Sequence, residues 1–155
     1  MSTASRDEVA RAFDHYLEVG AYRREWNAWA DLFTEDAVYI EAQYGTFVGR
    51  EAIRTWITGV MAGVPDMYFP PVKWRLIDAG QVCFCLDNAY PNPGDPGGAP
   101  IAFPSVTYLH YRDGLWSREE DIYDVRASLA ARAAFRAAGG NATGTDSEGE
   151  PQARR

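Results

Sequence analysis

Asp121, Glu41 and Asp87 are the three carboxylates whose surroundings in the sequence suit acid–base chemistry. Strand alternation places Asp121 on one face with Glu119, Tyr123 and Val125. If that face is a pocket wall, partial burial raises the Asp121 pKa toward the range of a general acid or base. The plainer alternative is a solvated acid in the run Glu119, Glu120, Asp121. Glu41 shares a face with Tyr39 on an otherwise apolar strand, a setting that costs stability unless the carboxylate is hydrogen-bonded. Carboxyl groups kept at such a cost mark candidate sites; the alternative is an edge acid paired with Arg50 or Arg54. Asp87 stands on the face of Cys83, Cys85 and Ala89, as a second acid, as a group that orients Asp121, or near a dimer interface.

Several side chains could bind what these acids act upon. Tyr108 and His110 share a strand face with Val106; a tyrosine hydroxyl is a good donor to a developing oxyanion, and a histidine titrates near neutrality. Tyr16, Trp26 and Trp56 lie on helical stripes with Phe13 and Trp29, where most rings fill a core and one or two cap a pocket. Their bulk suits an apolar small molecule of steroid, terpene or polyketide size. Tyr44, just before Gly45, is placed to gate the pocket mouth.

Other chemistries find little support. There is no Gly-rich phosphate loop, nucleophile elbow or Cys/His dyad, so cofactor-free chemistry is the simplest expectation. Cys83 and Cys85 would lie about 6.6 Å apart on one strand face with parallel Cβ vectors, unsuited to a disulfide. With only His15 and His110 besides, no metal site is expected. A net charge of −7 and a single lysine, Lys73, argue against nucleic acid, which attracts clustered Lys and Arg. No apolar run approaches the roughly 20 residues a bilayer requires, so no membrane span is expected. The polar N-terminal residues lack the apolar stretch of a secretory signal, from which a cytoplasmic location is expected.

The elements that must position these groups are legible along the chain. Its 155 residues, 46% hydrophobic and 14% aromatic with five tryptophans, suffice for one core. Ser5 to Glu8 reads as a capping box, followed by Val9, Ala12, Phe13, Tyr16 and Leu17 at helical spacing up to Gly20. Trp26, Trp29, Ala30 and Phe33 predict a second helix, stopped by a turn at 34–36. Strands follow at 37–42 and 46–48, then a third helix carrying Ile53, Trp56, Ile57 and Val60. Thereafter strands are expected at 68–78, 81–90, 101–112 and 115–125, with a Pro/Gly loop at 91–100 and a hairpin turn at Asp113 and Gly114. The segregation of helices and strands implies an α+β domain, with helices on one face of a curved antiparallel sheet. The boundaries expected are a pocket domain over 1–128, a short helix over 129–138 and a disordered tail over 139–155.

Two stretches carry a resemblance to a known superfamily. DLFTEDAVYIE over residues 31–41 with FVGREAI over 47–53, and WSREEDIYDVR over 116–126, resemble the SnoaL-like or nuclear transport factor 2-like proteins, including ketosteroid isomerase and limonene epoxide hydrolase relatives. The resemblance spans roughly residues 5–128 and is more specific for fold than for function. It implies a cone-shaped pocket, three N-terminal helices, and homodimerisation through the sheet. The position of the ketosteroid isomerase base, five residues after the aspartate of the acidic-alanine turn, is Glu41 here. That family's first-helix tyrosine falls near Phe13 or Tyr16, and its protonated aspartate near Tyr108. In limonene epoxide hydrolases the pocket tyrosine resembles Tyr39 and the last-strand aspartate resembles Asp121, which is also the acid/base position of SnoaL cyclases. Their Arg-x-Asp pair should fall near Asp87 and Ala89 and is missing, which points away from epoxide hydrolysis. The resemblance therefore implies an isomerase, cyclase or dehydratase without a cofactor, or a non-catalytic binding or assembly protein of the same fold.

Overall fold

The computed structural model describes residues 4–144. Helix α1 (Arg6–Leu17) begins where Ser5 caps it, its side chain accepting from the Glu8 N–H at 3.1 Å. The helix does not stop at Gly20. It continues into a π-helical turn, Glu18–Tyr22, which brings Gly20 so close to Trp29 that a Cβ there would overlap the indole. Helix α2 (Trp26–Ala30) is a single short turn, because the chain is already extended at Phe33. Strand β1 (Phe33–Glu41) therefore absorbs the expected 34–36 turn, and β2 (Gly45–Val48) returns beside it.

Gly49 precedes α3 (Arg50–Ala62) with φ +95°, a conformation that favours glycine. The next residue, Arg50, donates through Nε to the Phe33 carbonyl at 2.7 Å, tying the start of α3 to the start of β1. This gives the Gly-Arg pair of the 47–53 stretch a structural task. Strands β3 (Trp74–Asp78), β4 (Gln81–Tyr90), β5 (Ile101–Arg112) and β6 (Leu115–Ile122) follow, and α4 (Val125–Ala137) is capped by Asp124. The expected strand at 68–78 is shorter. Prolines 70 and 71 interrupt it, leaving an isolated bridge between Tyr68 and Ala89. At the β5–β6 hairpin Asp113 and Gly114 both have positive φ, as a tight hairpin turn demands.

The sheet order is β2-β1-β6-β5-β4-β3. The fold is α+β with a curved sheet, as expected, but the sheet is mixed: β1 runs parallel to β6, with Tyr39 opposite Glu119. Hairpins fix the relative direction of β3 to β6. β1 reaches β6 without a hairpin, so turn residues say nothing of its direction. Helices α1, α3 and α4 pack against the sheet. The core between them is aromatic: Phe13, Tyr16, Trp29, Phe33, Tyr39, Phe84 and Trp116 are all buried. Residues 139–144 return alongside α3 and α4, where the Thr143 N–H donates to the Gly63 carbonyl at 2.8 Å. The remainder of the tail expected to be disordered, 145–155, lies outside the described residues.

Candidate active site

One cavity of about 150 Å³ opens between the sheet and the helices. Alternation decides what faces it. On β6, Glu119 and Asp121 point inward with Tyr123 beyond them, while Arg118, Glu120 and Ile122 point outward. A register shift beside Tyr111 lets Trp116 join the inner face as well. On β5, Phe103, Ser105 and Thr107 point inward; on β4, Phe84, Leu86 and Asn88 do so.

Three carboxyl groups share this cavity, each held by a tyrosine. Asp121 Oδ2 accepts from the Tyr39 hydroxyl at 2.5 Å and Oδ1 from the Thr107 hydroxyl at 2.6 Å. Glu119 Oε1 accepts from the Tyr16 hydroxyl at 2.8 Å. Glu41 Oε1 accepts from Tyr123, and Oε2 takes the N–H groups of Gln43 and Tyr44, each at 2.7 Å. Neither Arg50 nor Arg54 pairs with Glu41: Arg50 serves Phe33, and Arg54 bonds Asp31 at 2.6 Å. Among the described residues none hydrogen-bonds Glu119 Oε2, although Glu119 is 2% exposed.

Burial dominates the electrostatics. It pushes the Glu119 carboxyl well above the glutamate range, and the neighbouring Asp121 charge pushes it further. Asp121 is raised by burial too, opposed first by the Thr107 hydroxyl and then by Tyr39. Glu41 rises for the same first cause, opposed chiefly by Tyr123. Of the two adjacent acids Glu119 is the more strongly raised, and Asp121 is the better supplied with donors to its charged form. Tyr16 and Tyr39 are raised well above the phenol range, by burial first and then by the acids they serve. They remain neutral donors.

Of the ten residues singled out in the sequence, seven line the cavity: Asp121, Glu41, Tyr39, Tyr16, Trp26, Trp56 and Tyr44. The other three do not, and their expected place in the pocket is corrected here. Asp87 points outward on β4 and pairs with Lys73 at 2.6 Å. Tyr108 and His110 lie on the outer face of β5, ring against ring at 4.7 Å. Alternation groups the side chains of β4 and β5 correctly, but the cavity lies on the face opposite to these three. Glu119, Thr107 and Tyr123 also line the cavity, and the sequence does not single them out as site residues. The first and last were findable, since both share the parity of Asp121. Among the described residues no group of three His, Cys, Asp or Glu side chains is arranged to hold a metal ion.

The sequence profile of the SnoaL-like domain matches residues 9–119, and the chain belongs to that family. Among solved structures it is similar to a hypothetical protein with a ketosteroid isomerase-like fold from Catenulispora acidiphila, in complex with trimethylamine. The two are 25% identical with a TM-score of 0.60, over 74% of this chain and 91% of that one. An LEH-like epoxide hydrolase from M. tuberculosis is 18% identical with a TM-score of 0.62, over 84% of this chain and 96% of its own. An NTF2-like protein from Anabaena variabilis is 16% identical with a TM-score of 0.61, over 80% and 94%. The last two likenesses bear on the fold alone. No curated protein matches the chain.

Proposed function

We propose that the protein is a cofactor-independent acid–base enzyme, an isomerase, cyclase or dehydratase acting on an apolar, carbonyl-bearing small molecule. The observation that carries this reading is Asp121 in the wall of an aromatic cavity, both oxygens held by hydroxyl donors and a second, more strongly perturbed acid beside it. Asp121 takes a proton from the carbon next to the carbonyl. The C–H bond breaks, an O–H bond forms on Asp121, and the electron pair moves onto the carbonyl oxygen as an enolate. The proton then returns to another carbon, or to a leaving hydroxyl as water. Glu41, at the cavity end near Tyr44, is a second acid for that return step. Trp26 and Trp56 keep water away, which strengthens every hydrogen bond inside.

The tyrosines take a different part from the one the sequence suggests. Tyr16, Tyr39 and Tyr123 each spend their single proton on a carboxyl group. They orient acids and do not donate to the substrate oxygen.

A homodimer formed through the outer face of the sheet belongs to the same reading. Leu76 and Ile122 are 69% and 55% exposed there, with Trp74, Tyr108 and His110 on the same face. A cytoplasmic location belongs to the same reading. No helix among the described residues is long and apolar enough to cross a membrane.

The alternative is a binding protein with the same cavity and no turnover. It is favoured by the raised Asp121 carboxyl, since a protonated Asp121 is no base. Titration with apolar carbonyl compounds, read by tryptophan fluorescence and followed by turnover assays of the wild type and Asp121→Asn, separates the two. Binding by both with turnover by the wild type alone is expected. Binding with no turnover by either selects the alternative.

A further inference from the structure

We infer that this cavity takes a single-ring molecule and holds its one acceptor oxygen at Glu119. The inference rests on the acid–base reading above and names the substrate class of the same site. Size comes first. At about 150 Å³ the cavity is below the roughly 300–1,000 Å³ of pockets that enclose drug-sized ligands. An apolar cavity of about 150 Å³ is the size that accepts benzene. A four-ring steroid or fused polyketide is therefore too large to be enclosed. The walls are not soft at the decisive place: Trp56 is stacked on Phe47 at 4.8 Å and tilted against Tyr39 at 4.9 Å.

Polarity comes second. The hydroxyls of Tyr16, Tyr39, Tyr123 and Thr107 are all spent on carboxyl oxygens. Glu119 Oε2 and Trp56 Nε1, both in the lining, are buried with no hydrogen-bond partner among the described residues. An indole N–H only donates. A neutral carboxyl whose other oxygen already accepts from Tyr16 has its O–H left to give. A buried donor in this condition costs stability unless something accepts from it, and at Glu119 a carbonyl oxygen on an otherwise apolar ring is such a partner. That oxygen, set at Glu119, puts its neighbouring carbon beside Asp121, one inward position further along β6.

The test uses the whole protein, with cyclohexanone and methylenecyclohexane as an isosteric pair that differ in C=O against C=CH₂. A four-ring steroid ketone is the size control, and binding is measured by ligand-observed NMR. Cyclohexanone is expected to bind about tenfold more tightly than its hydrocarbon isostere, and the steroid ketone not to saturate. Glu119→Gln, which keeps an N–H donor, is expected to preserve the preference, and Glu119→Leu to abolish it. Trp56→Ala is a second variant independent of Glu119 and is expected to admit a two-ring ketone that the wild type rejects. A steroid ketone that binds more tightly than cyclohexanone overturns the inference. So does an unchanged preference in a folded Glu119→Leu protein, or no binding of any single-ring ketone. Selective binding of cyclohexanone without turnover of any ketone leaves the inference standing and removes the enzymatic reading instead.

Discussion

The Tyr39 hydroxyl on β1 donates to Asp121 on β6 at 2.5 Å, across the one parallel pairing of the sheet. Tyr39 faces Glu119 in register, so its ring reaches diagonally to the next inward residue of β6. This bond, with that from Thr107, favours the charged form of an acid that burial makes hard to ionise.

Tyr39→Phe and Thr107→Val are therefore expected to raise the Asp121 pKa further. As a base, Asp121 works only when ionised, so activity rises with pH through that pKa. Each variant should move the acid limb of the pH–rate profile to higher pH and lower the rate at neutral pH. An acid limb that stays in place in both variants would show that Asp121 is not the group being titrated.

Glu119 carries a stability consequence of opposite character. Its folded pKa lies well above the ordinary value of 4.5, so the folded chain binds this proton more tightly than the unfolded one. Its contribution is fully present below that ordinary value and is lost as pH rises through the folded pKa, at about 1.4 kcal/mol per pH unit. Glu119→Gln removes this loss. Thermal melts from pH 4.5 upward should fall less steeply for the variant than for the wild type, and parallel melting curves would contradict the assignment.

Gly20 tests the packing that carries the aromatic wall. Because a Cβ there overlaps the Trp29 indole, Gly20→Ala forces Trp29 or the π-helical turn to move. The expected cost is about 1–3 kcal/mol, measured by urea denaturation. A variant as stable as the wild type would mean that Trp29 yields freely.

The outer face supplies controls. Asp87→Asn, Tyr108→Phe and His110→Gln touch nothing in the cavity and should leave ligand affinity and turnover within about twofold of wild type, in keeping with the small effects of surface substitutions. A large loss of turnover in Asp87→Asn would reopen its place in the mechanism.

The misplacement of these three residues shows where sequence reasoning stops. Alternation tells which side chains share a face, not which face is inside. On β4 both faces are apolar, Val82, Phe84 and Leu86 on one and Cys83, Cys85 and Ala89 on the other, so hydrophobicity cannot choose between them. On β5 the inner row carries Ser105 and Thr107 while the outer carries Tyr108 and His110, the reverse of what an aromatic pocket suggests. On β6 it is the resemblance of Asp121 to the last-strand aspartate of the family, and not alternation, that picks out the inner face. The direction of β1 and the pairing of three tyrosines with three carboxyls were not legible, since both depend on contacts between residues about 80 to 100 positions apart.

The most direct measurement of Asp121 as a proton-transfer group needs no knowledge of the natural product. The pure protein is held in D₂O with a small set of cyclic ketones, and replacement of the hydrogens next to the carbonyl by deuterium is followed by proton NMR. The wild type is expected to accelerate exchange of at least one ketone, and Asp121→Asn to lower that acceleration by about a hundredfold or more while keeping the ligand bound. Equal exchange by a folded Asp121→Asn protein, or none by the wild type with a ketone it binds, would contradict the assignment of Asp121 as the base.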